Sequence, residues 1–148
     1  MLSQTTEYAL RAIVTIAQSD AGRTTQEISR LSQVPLDYLA KVMNSLSRAG
    51  IVKAQRGRGG GFTLATPASQ MTVLDVVNAV DPIRRIRSCP LRLQAHAAQL
   101  CPLHRKLDEA LRLVEEAFAS TAIASLCGES QALPALCGEE PYVVLAAR

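Results

Sequence analysis

Apolar positions recur along this chain with a helical period up to about residue 50, and with a strand-like rhythm just after it. Between residues 3 and 17, Ala9, Leu10, Ile13, Val14, Ile16 and Ala17 fall at the spacing that lines one face of a helix. Asp20 to Arg23 breaks that pattern. Thr24 or Thr25 can cap a second helix, with Glu27 in its first turn and Ile28 and Leu31 facing inward. After Ser32 to Val34, Pro35 suits the start of a third helix. That helix presents Leu36, Leu39, Val42, Met43 and Leu46 on one side, and Gly50 supplies a left-handed residue to end it.

Two short strands follow, Ile51 to Ala54 and Phe62 to Leu64. Between them lies RGRGGG, residues 56–61, a closely approachable hairpin tip carrying Arg56, Arg58 and Gly59. Pro67 to Gln70 reads as a loop. Thr72 caps a fourth helix, with Asp75 in its first turn and Val73, Leu74, Val76, Val77 and Val80 apolar, and Asp81-Pro82 ends it. From Pro102 to about Ser120 a long amphipathic helix is predicted, with Leu103, Leu107, Leu111, Val114 and Phe118 along one stripe. No apolar face elsewhere in the chain is an obvious match for it. It suits a dimer interface or packing back on the first helix. The motif LCGE occurs at 126–129 and again at 136–139 in a short irregular tail that is expected to be mobile.

Three short helices followed by a glycine-rich hairpin is the order of a winged helix-turn-helix. The predicted fold is mainly α with a small β-wing, followed by a long C-terminal dimerisation helix. The expected divisions are a DNA-binding domain over 1–82, a loop over 83–101, the dimerisation helix over 102–126 and a tail over 127–148.

Composition narrows this further. A chain of 148 residues can bury one core. With two Phe, three Tyr and no Trp, that core must be aliphatic. No apolar run approaches the roughly 20 residues of a membrane span. The N-terminus lacks the basic region and apolar core of a secretory signal, so the expected compartment is the cytoplasm. Four cysteines there are expected to be thiols or ligands rather than disulfides. Charge is uneven. Residues 1–66 hold eight Lys/Arg against four Asp/Glu, a net +4, whereas residues 105–148 hold four against seven, a net −3. A basic front suits a polyanionic partner.

In a winged helix-turn-helix the third helix enters the major groove, so Asp37, Tyr38, Ala40, Lys41 and Asn44 are candidate readers. Asp accepts from cytosine, Asn pairs with adenine, and Lys reaches guanine or phosphate. Arg56 and Arg58, with Gly59 between the close strands, suit the minor groove or the backbone. Thr25 and Gln26 at a helix N-terminus suit phosphate.

A second chemistry lies in CPLRLQAHAAQLCPLH, residues 89–104, which holds two of the four cysteines and both histidines. Cys101 stands at the N-terminus of the helix begun by Pro102, where the dipole favours a thiolate, and His104 is one turn in. Cys89, Cys101 and His104 make three possible ligands, with His96 the other strong candidate in the segment. Mixed Cys/His ligation suits an iron–sulfur cluster or zinc. Two ordinary thiols and two surface histidines are equally compatible with the spacing.

Taken together, TTEYALRAIVTIA, the long run from QEISRLSQV to GGGFTLA, VLDVVNAVD, and Cys89 with CPLH resemble the Rrf-two family of bacterial winged-helix regulators. That family includes the cluster regulator IscR, the nitric-oxide sensor NsrR and the redox sensor RsrR. The resemblance covers about residues 1–126. It implies a homodimer whose long C-terminal helix swaps across the interface and whose cluster loop precedes that helix. The middle cysteine of many members falls at Ala95 here. The family's acidic ligand, donated from the other subunit, corresponds to Glu7. The resemblance therefore implies a set of Glu7, Cys89, Cys101 and His104, with His96 as the alternative, around a cluster of the 2Fe-2S type. Where this chain has Ala40, the family often has Glu.

The expectation is a homodimeric transcriptional regulator on a roughly palindromic operator, sensing redox state, nitric oxide or iron–sulfur status. One rival is a regulator without a cluster, sensing through thiols, a ligand or a partner protein. Another is a zinc-stabilised interaction module. No Ser/His/Asp set, phosphate loop or paired-carboxylate cleft is visible, so an enzyme is not expected.

Overall fold

The computed structural model describes residues 2–55, 57, 60–89 and 99–127. Helix α1 (Gln4–Ala17) is capped by the Ser3 hydroxyl, which accepts from the Thr6 N–H. Its buried face carries Ala9, Ala12, Ile13 and Ile16, the centre of the core. Helix α2 (Thr25–Ser32) begins in a capping box. The Thr24 side chain accepts from the Glu27 N–H, and the Glu27 carboxylate accepts from the Thr24 N–H at 2.8 Å. The Thr24 N–H, and with it the Thr24 hydroxyl, which also donates to that carboxylate at 2.8 Å, hold the Glu27 carboxyl below the usual carboxylate range. Ile28 is the anchor of α2 in the core.

Gln33 takes a left-handed conformation (φ 55°) at the turn into α3 (Leu36–Arg48). Leu39, Val42, Met43 and Leu46 are the buried stripe of α3. Leu36, predicted to join them, does not: it is 46% exposed. Successive residues rotate by about 100°, which places Leu36 at the edge of that stripe, in the first turn, where no helix covers it.

Gly50 (φ 72°) turns the chain into strand β1 (Val52–Gln55), which pairs antiparallel with β2 (Gly61–Leu64) in the register Val52 to Leu64. The pattern predicts the first strand one residue earlier, Ile51 to Ala54, and the second one residue shorter at its start, Phe62 to Leu64. The wing is tied to the body through Arg23, whose backbone exchanges both hydrogen bonds with Phe62 (3.0 and 2.7 Å). A Cβ on Gly61 would lie 2.5 Å from the Arg23 carbonyl oxygen, so only glycine permits that approach. The Arg23 guanidinium donates to the Thr15 carbonyl at 2.8 Å, fastening the same turn to α1.

Helix α4 (Val73–Val80) repeats the capping box with Thr72 and Asp75, and buries Val73, Val76 and Val77 against α1. Helix α5 (Pro102–Ala119) has no buried residue. The expected dimerisation segment over 102–126 is not one helix: α5 stops at Ala119, and Thr121 accepts from the Val73 N–H at 2.9 Å. Ala122 then forms a bridge with Thr72, and α6 (Ile123–Leu126) drives a fully buried Ile123 into the core beside α1. The expected tail from residue 128 onward, with the second LCGE, lies outside the described residues.

Candidate functional site

The first site is a groove of about 520 Å³ between the N-terminus of α2, the outward face of α3 and the wing. Thr25 and Gln26 form one wall, Asp37 with Leu36 and Ala40 another, and Ala54, Gln55, Gly60 and Phe62 close the wing side. Asn44 lines the adjoining depression with Thr25, Ala40 and Phe62. Five of the described candidates, Thr25, Gln26, Asp37, Ala40 and Asn44, therefore line these two adjoining depressions. Their order follows from the caps. Thr24 fixes the first turn of α2, so Thr25 and Gln26 stand at the open, positive end of that helix.

Tyr38 is placed elsewhere. Its hydroxyl hydrogen-bonds Thr5 Oγ1, and its ring meets Tyr8 edge-on at 5.2 Å between centroids. Positions 38 and 40 differ by about 200° around the helix, so one of them faces α1 when the other faces the groove. Lys41 is exposed but does not line the groove. Arg56, Arg58 and Gly59 lie outside the described residues. Sequence reasoning missed Gln55 and Leu36 as groove residues. Gln55 closes the first strand beside the wing tip and could have been found there; Leu36 was hidden by its apolar periodicity.

The second site is at the start of α5. Cys101 is the N-cap, and its Sγ lies 3.2 Å from Nδ1 of His104. Pro102 opens the helix in the first turn, which is what brings residues 101 and 104 onto one side. Cys89 is buried, 6% exposed. Glu7 is exposed on α1 and pairs with Arg11 at 3.6 Å. Among the described residues no three His, Cys, Asp or Glu side chains gather into a metal-binding group. The structure thus brings together two of the four proposed ligands, Cys101 and His104, within one chain. His96 and Ala95 lie outside the described residues. Cys127, at the end of α6, donates to the Ile123 carbonyl (3.4 Å), and burial pushes its thiol up.

A third feature joins the two halves and had no signal in the sequence. Arg85 makes a two-pronged ion pair with Asp108 (2.7 and 2.6 Å) and reaches Glu115 at 3.3 Å. The Ile86 N–H also donates to Asp108, at 2.8 Å. These bonds, the Arg85 guanidinium first, hold the Asp108 carboxyl down at about 2. The clasp ties the segment leading to Cys89 onto α5, one turn beyond His104. Such pairing over 23 residues follows from no local pattern.

Residues 2–129 match the model of the Rrf2 family, described as iron-dependent transcriptional regulators. The chain belongs to the Rrf2 family. Solved structures agree on the fold. CymR (YrzC), the global cysteine regulator of B. subtilis, is 22% identical over 85% of this chain and 95% of its own, with a TM-score of 0.71. IscR of T. potens is 20% identical over 84% of this chain and 83% of its own, with a TM-score of 0.69. CymR of Staphylococcus aureus in its oxidized form is 19% identical over 88% and 98%, with a TM-score of 0.68. Rrf2 proteins are DNA-binding transcriptional regulators, not enzymes, and the mainly helical body with a two-stranded wing is their winged-helix fold.

Proposed function

We propose that this Rrf2 protein acts in the cytoplasm as a homodimer on a roughly palindromic operator in double-stranded DNA. Its signal is redox state, nitric oxide or iron–sulfur status, read through a bound iron–sulfur cluster of the 2Fe-2S type. The dimer reading is supported by α5, an 18-residue helix on which Leu103, Leu107, Leu113 and Val114 are 64, 47, 55 and 40% exposed. An apolar face of that extent is normally covered. No described helix is long and apolar enough to cross a membrane.

The observation that carries the sensor reading is the Cys101–His104 contact of 3.2 Å at the N-terminus of α5. A thiolate and an imidazole nitrogen on one helical turn suit two corners of a mixed-ligand cluster or of a zinc site. Cys89 of the same chain, with Glu7 of the partner subunit, would complete the set, with His96 as the alternative to His104. When bound, the cluster supplies a one-electron couple whose charge changes with oxidation. The protein's part is positional. Arg85 and Asp108 hold the segment before Cys89 on α5, and α5 packs on α4, which packs on α3. A shift at the loop therefore reaches the recognition helix through packed elements, and the two states must differ in their free energy on DNA.

On the DNA side, α3 lies in the major groove of each half-site with Asp37 and Asn44 toward base edges. Thr25 and Gln26 hold a phosphate at the α2 N-terminus. Arg56, Arg58 and Gly59 of the wing, with Lys41, engage the backbone or the minor groove. Tyr38, fastened to α1, sets the pitch of α3 and reaches DNA only at its flank.

One observation favours a second reading. A cysteine at a helix N-terminus beside an imidazole, as Cys101 stands 3.2 Å from His104, is also the setting of a reactive thiol, which suits a regulator that senses through thiols without a cluster. Anaerobic purification separates the two. A brown protein with near-equal iron and acid-labile sulfide, lost in Cys89→Ser and Cys101→Ser and altered in His104→Ala and Glu7→Ala, supports the cluster. A protein that stays colourless after reconstitution rejects it.

A further inference from the structure

Between Leu2 and Leu103, a single large hydrophobic side chain among the described residues stands open to water: Leu36, 46% exposed. Every other one that exposed lies at an end of the described chain or on α5 and α6. A scattered surface leucine needs no explanation. Leu36 is not scattered. It lines the groove between α2, α3 and the wing, four residues before Ala40, and residues four apart share a helix face. Ala54 and Phe62 continue the apolar floor across to the wing, while Thr25, Gln26, Asp37 and Gln55 supply the polar rim.

We propose that Leu36 and Ala40 together form an apolar reader that seats the 5-methyl group of a thymine in the operator. This rests on the operator reading above and names its base preference. The argument is one of matching chemistry. Leu36 and Ala40 carry no donor or acceptor, so they cannot satisfy the polar edge of guanine, cytosine or adenine. Of the four bases, thymine alone offers an apolar group in the major groove. The occupant is DNA rather than an apolar protein segment because the groove is formed by α2, α3 and the wing, the unit that a winged helix-turn-helix lays on DNA, in a chain of the Rrf2 regulator family whose residues 1–66 carry eight Lys/Arg against four Asp/Glu. The rim also places Asp37 and Gln26 where neighbouring base edges and phosphates would lie. Ala40 has the small volume that leaves room for a methyl group, and Leu36 covers it from the helix N-terminal side. Desolvation of Leu36 and the methyl group is then mutual and specific to that base step.

The test uses the full-length protein, as isolated with whatever cofactor it carries. An operator is first enriched from random duplex DNA. Each thymine is then replaced by deoxyuridine, which removes only the methyl group. The expected result is one thymine per half-site whose loss weakens binding about four-fold, the worth of one buried methyl-sized group. That penalty should shrink to nearly nothing in Leu36→Ala and survive in Leu36→Met. Leu36 is exposed, so both variants keep the fold, which circular dichroism checks. An enriched operator with no uridine-sensitive position, or a penalty unchanged in Leu36→Ala, overturns the proposal and leaves the regulator reading standing. Failure to enrich any sequence overturns both.

Discussion

At the scale of single residues, two contacts decide more than their neighbours do. Gly61 lets the wing touch the Arg23 carbonyl, where a Cβ would sit 2.5 Å from oxygen. Gly61→Ala should therefore destabilise the fold by roughly 1–3 kcal/mol, read as a lower urea midpoint, and weaken DNA binding by displacing the wing. Asp108 is the second. Its carboxyl is held at about 2, below the usual 3.8, chiefly by the hydrogen bond from Arg85. A depressed folded-state pKa stabilises the fold above the unfolded value, and that contribution disappears as pH falls through the folded one. Wild type should be more stable than Asp108→Asn at pH 6. The gap should narrow between about pH 4 and pH 2, as urea midpoints measured across that range will report. A constant gap would mean that Asp108 acts by packing alone. Neither contact has a signature in the local sequence, because Arg23 and Gly61, like Arg85 and Asp108, meet only through the fold.

At the scale of elements, the caps and the helix faces were legible and their use was not. Thr24 or Thr25 with Glu27, and Thr72 with Asp75, read as helix starts from spacing alone; the structure selects Thr24, and both starts form complete capping boxes. Thr24→Ala should cost about 1 kcal/mol and loosen the turn that holds Thr25 and Gln26 in the groove. Helix α5 was legible as amphipathic, and Phe118 of its apolar stripe packs against the core, yet among the described residues Leu103, Leu107, Leu113 and Val114 stay exposed. If that face is the dimer interface, Leu107→Glu should give a monomer in sedimentation with unchanged helix content, because Leu107 is 47% exposed. A variant that remains dimeric would move the interface elsewhere. On the wing, Arg56→Ala with Arg58→Ala should lower the slope of log affinity against log salt by about two, if each arginine neutralises one phosphate.

At the scale of the whole molecule, the return of the chain after α5 matters most. Residues 121–123 hydrogen-bond back to Met71 and Val73, and Ile123 is wholly buried. The DNA-binding body is therefore completed by a residue some forty positions beyond the end of α4. Ile123→Ala should cost about 2–5 kcal/mol, comparable to a central core truncation and unlike a change in a peripheral helix. Thermal unfolding of the variant checks this. The same return ties the C-terminal end of α5 to the winged body, and the Arg85–Asp108 clasp ties its N-terminal half to the segment that follows α4.

Helical spacing and capping chemistry in the sequence were enough to determine α1 to α4, the wing and the long α5, and with them the winged-helix class. Those signals are local: each depends on residues within one or two turns. Cys101 and His104 were legible for the same reason, being three apart on one helix. What the tertiary structure decided was longer in range. It put Tyr38 against α1, left Leu36 open in the groove, drew Ile123 into the core and locked Arg85 onto Asp108. Each of these depends on which surface a side chain meets after the helices pack, and periodicity along the chain specifies a face without naming what lies opposite.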